Sequence, residues 1–495
     1  MQLSKNIIHG LSKDNLEVPD VEIFNLPEKV IQFGTGVLLR ALPDYFIDKA
    51  NRQGIFNGRI VMVKSTPSDS SAFDRQDGLY TICIRGVDGD HKVESDIINS
   101  SVSRVISASD EWEKVLRCAR DPRFTIIISN TTEVGIVMSD DKVTDAPPAS
   151  FPGKLLAFLY ERYRTLGDSK DSGLVIVPTE LIIDNGRVLK GIVTELAKKN
   201  SLEKEFIEWI DEANEFCSSL VDRIVPGALP APTKKSVEER LGYTDELMIM
   251  AESFRLWAIE AKSPRVAEVL SFAPADKGVV IADDIEKFRE LKLRILNGTH
   301  TFSCGLALQA GFTTVKEAME DEQFAAYLKR LMMLEIAEAV SSEIITYNEA
   351  CAFANTVMDR FRNPYLDHKW KSIAVNFTSK MQLRNVPLIE RYTARNKQVP
   401  QHMALGFAAF IYSLRPGGEM QDVQDDSSAY IRKLWSTHDV ATIAQAVLAS
   451  VETWGIDLNR KAPGFADKVA ACIGLLRSGT VQDTIQHLQI FKSPA

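Results

Sequence analysis

Lys292, Asn297 and His300 fall within one stretch, Lys292-Leu-Arg-Ile-Leu-Asn297-Gly-Thr-His300-Thr. They supply a potential base, an amide and an imidazole, side chains suited to general acid–base work at an oxygen. At about 100° per residue, Asn297 lies roughly 140° and His300 roughly 80° around a helix axis from Lys292. One pocket can therefore receive all three. The same spacing fits an ordinary helix carrying a solvated lysine, a bending amide and a core histidine, so the elements that position these residues have to decide.

The flanks read as helix. Ile285, Phe288, Leu291, Ile295, Leu296, Phe302 and Leu306 recur at three- and four-residue intervals, Asp283 or Asp284 suits the start, and Gly311 suits the stop. Gly298 interrupts the pattern at a cost of about 1 kcal/mol relative to alanine. A glycine there implies close packing or close approach of a ligand.

With 495 residues, 45% of them hydrophobic and 25% charged, the chain is long enough for two or three domains with sizeable cores. A formal charge of -9 gives no basic footprint for nucleic acid or an anionic membrane, while leaving room for a local basic pocket. Cys83, Cys118, Cys217, Cys304, Cys351 and Cys472 form neither a CxxC pair nor a Cys/His cluster, which favours reduced thiols and no metal site. Met1-Gln-Leu-Ser-Lys-Asn lacks the features of a signal peptide, and no apolar run spans a bilayer. A soluble cytoplasmic protein is expected.

Lys29–Phe33 reads as a buried strand, Gly34-Thr35-Gly36 as a tight turn, and Val37 onward as a helix. That order resembles the start of a dinucleotide-binding unit, in which glycines let a pyrophosphate approach backbone amides. Leu39 stands where the third glycine would be. A second strand, Arg59–Val63, ends in Lys64-Ser65-Thr66 with no acid for the adenosine ribose of NAD; Lys64 and Ser65 suit a 2′-phosphate, which keeps NADP beside NAD. Phe124–Ser129 and Gly173–Val177 are apolar runs of the kind a strand buried on both faces needs. They end in Asn130-Thr131 and Pro178-Thr-Glu180, and Phe33, Asn130, Thr131 and Glu180 are the expected cofactor neighbours. From about Val188 helical patterns dominate, and after Asp284 nearly everything is helical.

Gly34-Thr-Gly36 with Arg40-Ala41, Asn185-Gly186, Val221-Asp222-Arg223-Ile-x-Pro226, and Lys292 with Asn297 and His300 together resemble the long-chain polyol dehydrogenases of the mannitol dehydrogenase family. Ser129–Glu133, Val177–Ile182 and Leu296–Thr301 narrow the resemblance to its sugar-acid branch. The resemblance implies an α/β fold: a Rossmann-type doubly wound domain over residues 1–283, then a mostly helical catalytic domain over 284–495. It implies metal-independent, NAD-dependent hydride transfer between D-altronate and D-tagaturonate, with the D-mannonate and D-fructuronate pair as the alternative. A binding protein on the same fold is the rival of another class. Lys292 would exchange the C3 hydroxyl proton while Asn297 and His300 hold the reacting oxygen and a neighbouring hydroxyl. Asp222 matches an acidic pocket residue, whose other reading is a salt bridge with Arg223.

Two departures point away from a neutral polyol. Glu180 and Leu181 replace the family's Asp-Asn loop pair, and Ser372-Ile-Ala-Val-Asn376-Phe-Thr-Ser-Lys380 keeps the family lysine without its arginine. An aldonate needs a cation for its carboxylate; Lys380 and Arg384 are the candidates, with Lys371 behind them. The expected partner is a small sugar acid, neither nucleic acid nor membrane.

Overall fold

The apolar runs become parallel strands because both faces of their sheet are covered. The computed structural model describes residues 1–66, 69–89, 91–131 and 135–490; Thr132 and Glu133 of the Ser129–Glu133 stretch lie outside the described residues. Six strands form the main sheet: β1 Glu28–Phe33, β2 Arg59–Lys64, β3 Val102–Ser107, β4 Ile126–Ser129, β5 Val175–Pro178 and β6 Glu215–Phe216. They lie in the order β3-β2-β1-β4-β5-β6, all parallel. That is the order of a dinucleotide-binding Rossmann sheet, with the crevice outside the carboxyl ends of its central strands. Alternate side chains enter different cores, Val30, Ile60, Met62, Ile128 and Val177 in one and Ile31, Val61, Val63, Ile127 and Ile176 in the other.

The chain divides into two compact units, Met1–Arg85 with Lys92–Ile285, and Gly86–His91 with Glu286–Ala495. The first adds a four-stranded and a three-stranded sheet to the Rossmann sheet. Its helices include α1 (Val37–Ala41), α2 (Pro43–Arg52) and α3 (Asn185–Lys199).

The second unit is helical. α4 (Glu286–Glu290) continues into a π-helical segment, Leu291–Asn297, and then into α5 (Gly298–Gln309), beyond which Gly311 at φ +83° ends the run. The expectation of uniform 100° steps is corrected here. A π segment closes i→i+5 hydrogen bonds, so Asn297 comes a little more than one turn after Lys292 and on a nearer face than the roughly 140° of a uniform α-helix.

Two glycines let α5 approach α8 (Gln401–Ser413). A Cβ on Gly305 would lie 2.8 Å from the Ala409 carbonyl oxygen, and one on Gly406 would lie 2.6 Å from that of Phe302. Gly298 is different: its Cβ would meet Leu388 Cδ1 at 3.4 Å and Asn385 Oδ1 at 3.5 Å, ordinary contacts. Close packing does not require that glycine. No helix among the described residues is long and apolar enough to cross a membrane.

Gly305→Ala is therefore expected to lower the unfolding free energy by about 1–3 kcal/mol through overpacking, read from urea denaturation. Gly298→Ala should be neutral or stabilising by up to about 1 kcal/mol. Equal losses at the two positions would overturn this account of the helix contact.

Candidate functional site

In the first unit, β1 ends at Phe33 and the chain turns through Gly34, Thr35 and Gly36 into α1, with Val37 its first residue. Gly34 has φ +128°, and a Cβ on it would meet Leu39 Cδ1 at 2.8 Å and the Asn130 carbonyl oxygen at 3.1 Å. Leu39, in the place of the third glycine, is fully buried against this turn. Gly36 has nothing within 4 Å of a Cβ. A tight first glycine and an open second one are what a pyrophosphate site needs of its backbone, so these residues fit a dinucleotide.

Buried polar groups support the turn. Gln32 Nε2 donates to the Gly34 carbonyl at 3.3 Å, and Arg40 donates to the Leu247 carbonyl at 2.7 Å. The Tyr80 hydroxyl donates to Asp44 at 2.8 Å. Burial pushes the Asp44 carboxyl up to about 7, against the opposing hydrogen bond from Tyr80 and the charge of Arg40.

The ends of β4 and β5 are joined side by side. The Asn130 amide N–H donates to the Phe33 carbonyl (3.2 Å), and its Nδ2 donates to the Thr179 carbonyl (3.1 Å) and hydroxyl (2.9 Å). Glu180 is buried and accepts from the Thr131 amide (2.9 Å), the Thr131 hydroxyl (3.1 Å) and the Ser129 hydroxyl (3.1 Å). Its carboxylate holds the Asn130–Thr131 segment in place. Leu181 beside it is 63% exposed.

Asn185 and Gly186 form a splice. Asn185 Nδ2 donates to the carbonyls of Pro178, Glu180 and Ser219, and its Oδ1 accepts from the amides of Gly186 and Ser219. A Cβ on Gly186 would lie 2.5 Å from the Cys217 carbonyl carbon. This ties β5 to strand Ser219–Asp222, whose last residue, Asp222, is buried. The guanidinium of Arg223 donates to the carbonyls of Glu252 and Ala41 and lies 4.8 Å from the Tyr45 ring.

Lys64 ends β2 and is buried, whereas Ser65 is exposed. Hydrogen bonds from Ser71 and then the charges of Arg75 and Lys64 hold the Asp69 carboxyl below its usual range, and hydrogen bonds from Ser107 and Ser109 and then the charge of Lys64 do the same for Asp110. Lys64 thus sits in the field of two carboxylates.

In the second unit, Lys292 and Asn297 lie half-buried on the π segment and His300 is buried on α5. The His300 ring stacks on Phe361 (4.3 Å between centroids, 20°), with His368 (5.0 Å) and Trp370 (6.1 Å) edge-on. Its Nε2 is buried without a hydrogen-bond partner among the described residues. Burial, and then the charges of His368, Arg360, Arg384 and Lys380, hold its pKa well below 6.5.

Lys380 ends a short helix, Phe377–Lys380, and donates to the Ile373 carbonyl at 2.9 Å. Burial and the neighbouring Arg384 lower its pKa from 10.5. Arg384 lies on another π segment, Met381–Asn385, and donates to the Thr301 hydroxyl at 3.2 Å. Neither forms an ion pair with a carboxylate among the described residues.

Arg294 fastens the two π segments together. It pairs with Glu290 at 3.2 Å and donates to the carbonyls of Leu383 (2.6 Å) and Arg384 (2.9 Å). Asn385 Nδ2 adds a bond to the Gly298 carbonyl at 3.1 Å.

The structure thus gathers His300, Lys380 and Arg384, and places Phe33, Gly34, Asn130, Thr131 and Glu180 around one turn. Lys371 is exposed and is not among the charges acting on His300. Sequence reasoning missed Arg360 and His368. Arg360 precedes Phe361 on helix Tyr347–Phe361, and His368 sits in the polar run Asp367-His-Lys369, where no periodicity marks it.

Residues 28–270 match the mannitol dehydrogenase Rossmann domain and residues 284–473 the mannitol dehydrogenase C-terminal domain. The chain is 37% identical over 473 residues to altronate oxidoreductase of Halalkalibacterium halodurans, covering 91% of each protein. It is 36% identical over 467 residues to altronate oxidoreductase of Bacillus subtilis, covering 93% of this chain and 95% of that one. Among solved structures, Pseudomonas fluorescens mannitol 2-dehydrogenase, in a ternary complex with NAD and D-mannitol, matches with a TM-score of 0.69 at 23% identity, over 99% of this chain and 100% of that one. Substrate-free D-sorbitol dehydrogenase matches with a TM-score of 0.77 at 21% identity, over 98% and 100%. At those identities the two structures speak for the fold.

The state of His300 affects stability. Its folded pKa lies below the unfolded value of 6.5, so in the window between them only the unfolded chain takes the proton. The associated stability is complete above about pH 6.5 and declines as pH falls below it. Urea midpoints should drop between about pH 7.5 and about pH 5.5, and less steeply in His300→Asn. Parallel pH profiles for the two proteins would refute this.

Proposed function

The chain belongs to the mannitol dehydrogenase family, and on that premise we propose that it is a cytoplasmic NAD-dependent oxidoreductase interconverting D-altronate and D-tagaturonate in hexuronate catabolism. The relatives named altronate oxidoreductase support the substrate pair. The observation that carries the reading is chemical: Lys380 and Arg384, partly desolvated and without a carboxylate partner among the described residues, stand beside a buried His300 whose Nε2 has none. Cations held out of water are stabilised by an anion, and an imidazole nitrogen beside them suits a hydroxyl-rich acid.

In this reading residues 1–283 hold the cofactor and 284–495 act on the substrate. Phe33, Gly34, Thr35, Gly36 and Val37 form the pyrophosphate turn, with Asn130 and Thr131 alongside it and Glu180 bracing Thr131. Lys64 and Ser65 lie on the ribose side, where Asp69 and Asp110 oppose a 2′-phosphate and so support NAD over NADP. A nicotinamide held at that turn would supply hydride exchange at the altronate carbon that becomes the tagaturonate carbonyl.

Lys292 takes the proton of the reacting hydroxyl as the carbonyl forms, and gives it back in the reductive direction. Asn297, brought toward the face of Lys292 by the π segment, steadies the reacting oxygen. His300, kept neutral by burial and by its cationic neighbours, bonds an adjacent hydroxyl without adding another charge. Lys380 with Arg384 receives the carboxylate.

NADH oxidation with tagaturonate, fructuronate and fructose should favour tagaturonate, and NADPH should be the poorer cofactor. Lys292→Ala should lower kcat about 10²–10⁴-fold, and Lys380→Ala should raise KM for tagaturonate. A preference for fructuronate would replace the substrate pair. No turnover of any substrate would move the protein to a binding role.

A further inference from the structure

We propose that His368 is a further specificity residue, one that hydrogen-bonds the carboxylate end of the sugar acid together with Arg384. The inference rests on the sugar-acid reading above and adds a residue to it. His368 follows helix Tyr347–Phe361 in the chain and precedes the short helix Trp370–Ala374. Its backbone is pinned: its carbonyl accepts from the Val315 amide at 2.9 Å, the Trp370 amide donates to the Thr313 carbonyl at 3.1 Å, and Thr314 bridges Lys369.

The side chain is used differently. The ring is half-buried, lies 5.0 Å from His300 at 80°, and makes no hydrogen bond to the protein among the described residues. A ring so closely held by its backbone, with no protein partner for its nitrogens among the described residues, has both of them open to a ligand. Around it stand His300, Arg360 and Lys380. Burial and then the charges of Arg360 and Lys380 hold its pKa below 6.5, so at neutral pH it offers one N–H donor and one acceptor.

The donor inventory assigns the parts. Lys380 has committed one of its three protons to the Ile373 carbonyl. Arg384 makes one side-chain hydrogen bond among the described residues, to the neutral Thr301 hydroxyl, which leaves guanidinium donors for the planar pairing that carboxylates accept. Phe361 covers one face of His300 at 4.3 Å, while His368 meets that ring edge-on. An anion drawn to Arg384 and Lys380 beside His300 meets the His368 ring as well. A neutral His368 can give its N–H to a carboxylate oxygen, or use one ring nitrogen on the hydroxyl next to the carboxylate. A neutral polyol lacks the first of these partners.

The test uses the full-length protein as wild type, His368→Ala and His368→Asn. KM for tagaturonate should rise about 10- to 100-fold in the alanine variant, the loss of one hydrogen bond to a charged group, with kcat and KM for NADH little changed. Asparagine, which retains a donor and an acceptor, should recover most of the loss. An unchanged tagaturonate KM, an equal rise for NADH, or no recovery with asparagine would overturn the proposal. D-Altronate binding by titration calorimetry, compared between wild type and His368→Ala, reads the same contact without turnover. Weaker altronate binding in the variant of a protein that turns over no substrate would sink the oxidoreductase reading and keep His368. Equal binding in an active enzyme would do the reverse.

Discussion

The contact on which the second unit's functional geometry depends is the buried guanidinium of Arg294. It joins Glu290 to the carbonyls of Leu383 and Arg384, and so fixes one π-helical segment against another. Each segment is a departure from regular α-helix of a rare kind, found mostly as single turns inside α-helices and frequently at functional sites. The first brings Asn297 toward the face of Lys292; the second turns Arg384 toward Thr301, the residue after His300.

The same region carries an electrostatic cost. Burial disfavours the charged forms of Lys380 and Arg384, Arg384 adds to the effect on Lys380, and burial and then the neighbouring charges drive the two imidazoles there neutral. Such an arrangement costs stability that a bound anion would offset. It is maintained by what surrounds it: Gly305 and Gly406 let α5 seat against α8, and the capping box of Thr346 and Glu349 anchors the helix that delivers Arg360 and Phe361. The rigid packing holds the cations together against their repulsion.

In the first unit the constraint is steric. Gly34 must approach the Asn130 carbonyl and Leu39, and Gly186 must pass the Cys217 backbone. Around those two close approaches, Glu180 and Asn185 absorb backbone donors and acceptors at the ends of β4, β5 and strand Ser219–Asp222. The polar residues at the strand ends are thus of two kinds. Some face the crevice, and others, Glu180 and Asn185 among them, spend their hydrogen bonds on shaping it.

Sequence by itself determined what local chemistry can dictate. Unbroken Val/Ile runs can be strands only if both faces are covered, which gives the doubly wound sheet; a Gly-Thr-Gly turn after the first of them, and helical periodicity after Asp284, follow from backbone freedom and side-chain period. The Lys292, Asn297 and His300 trio was legible from residue type and resemblance. Tertiary structure alone decided the π register that brings Asn297 toward the face of Lys292, the inward use of Glu180, the backbone partners of Arg223, and the meeting of His368 and Arg360 with His300. The reason is physical: periodicity and turn chemistry act over a few residues, whereas these outcomes depend on hydrogen bonds and charges between segments tens of residues apart, such as Arg294 with Leu383, which exist only once the chain has packed.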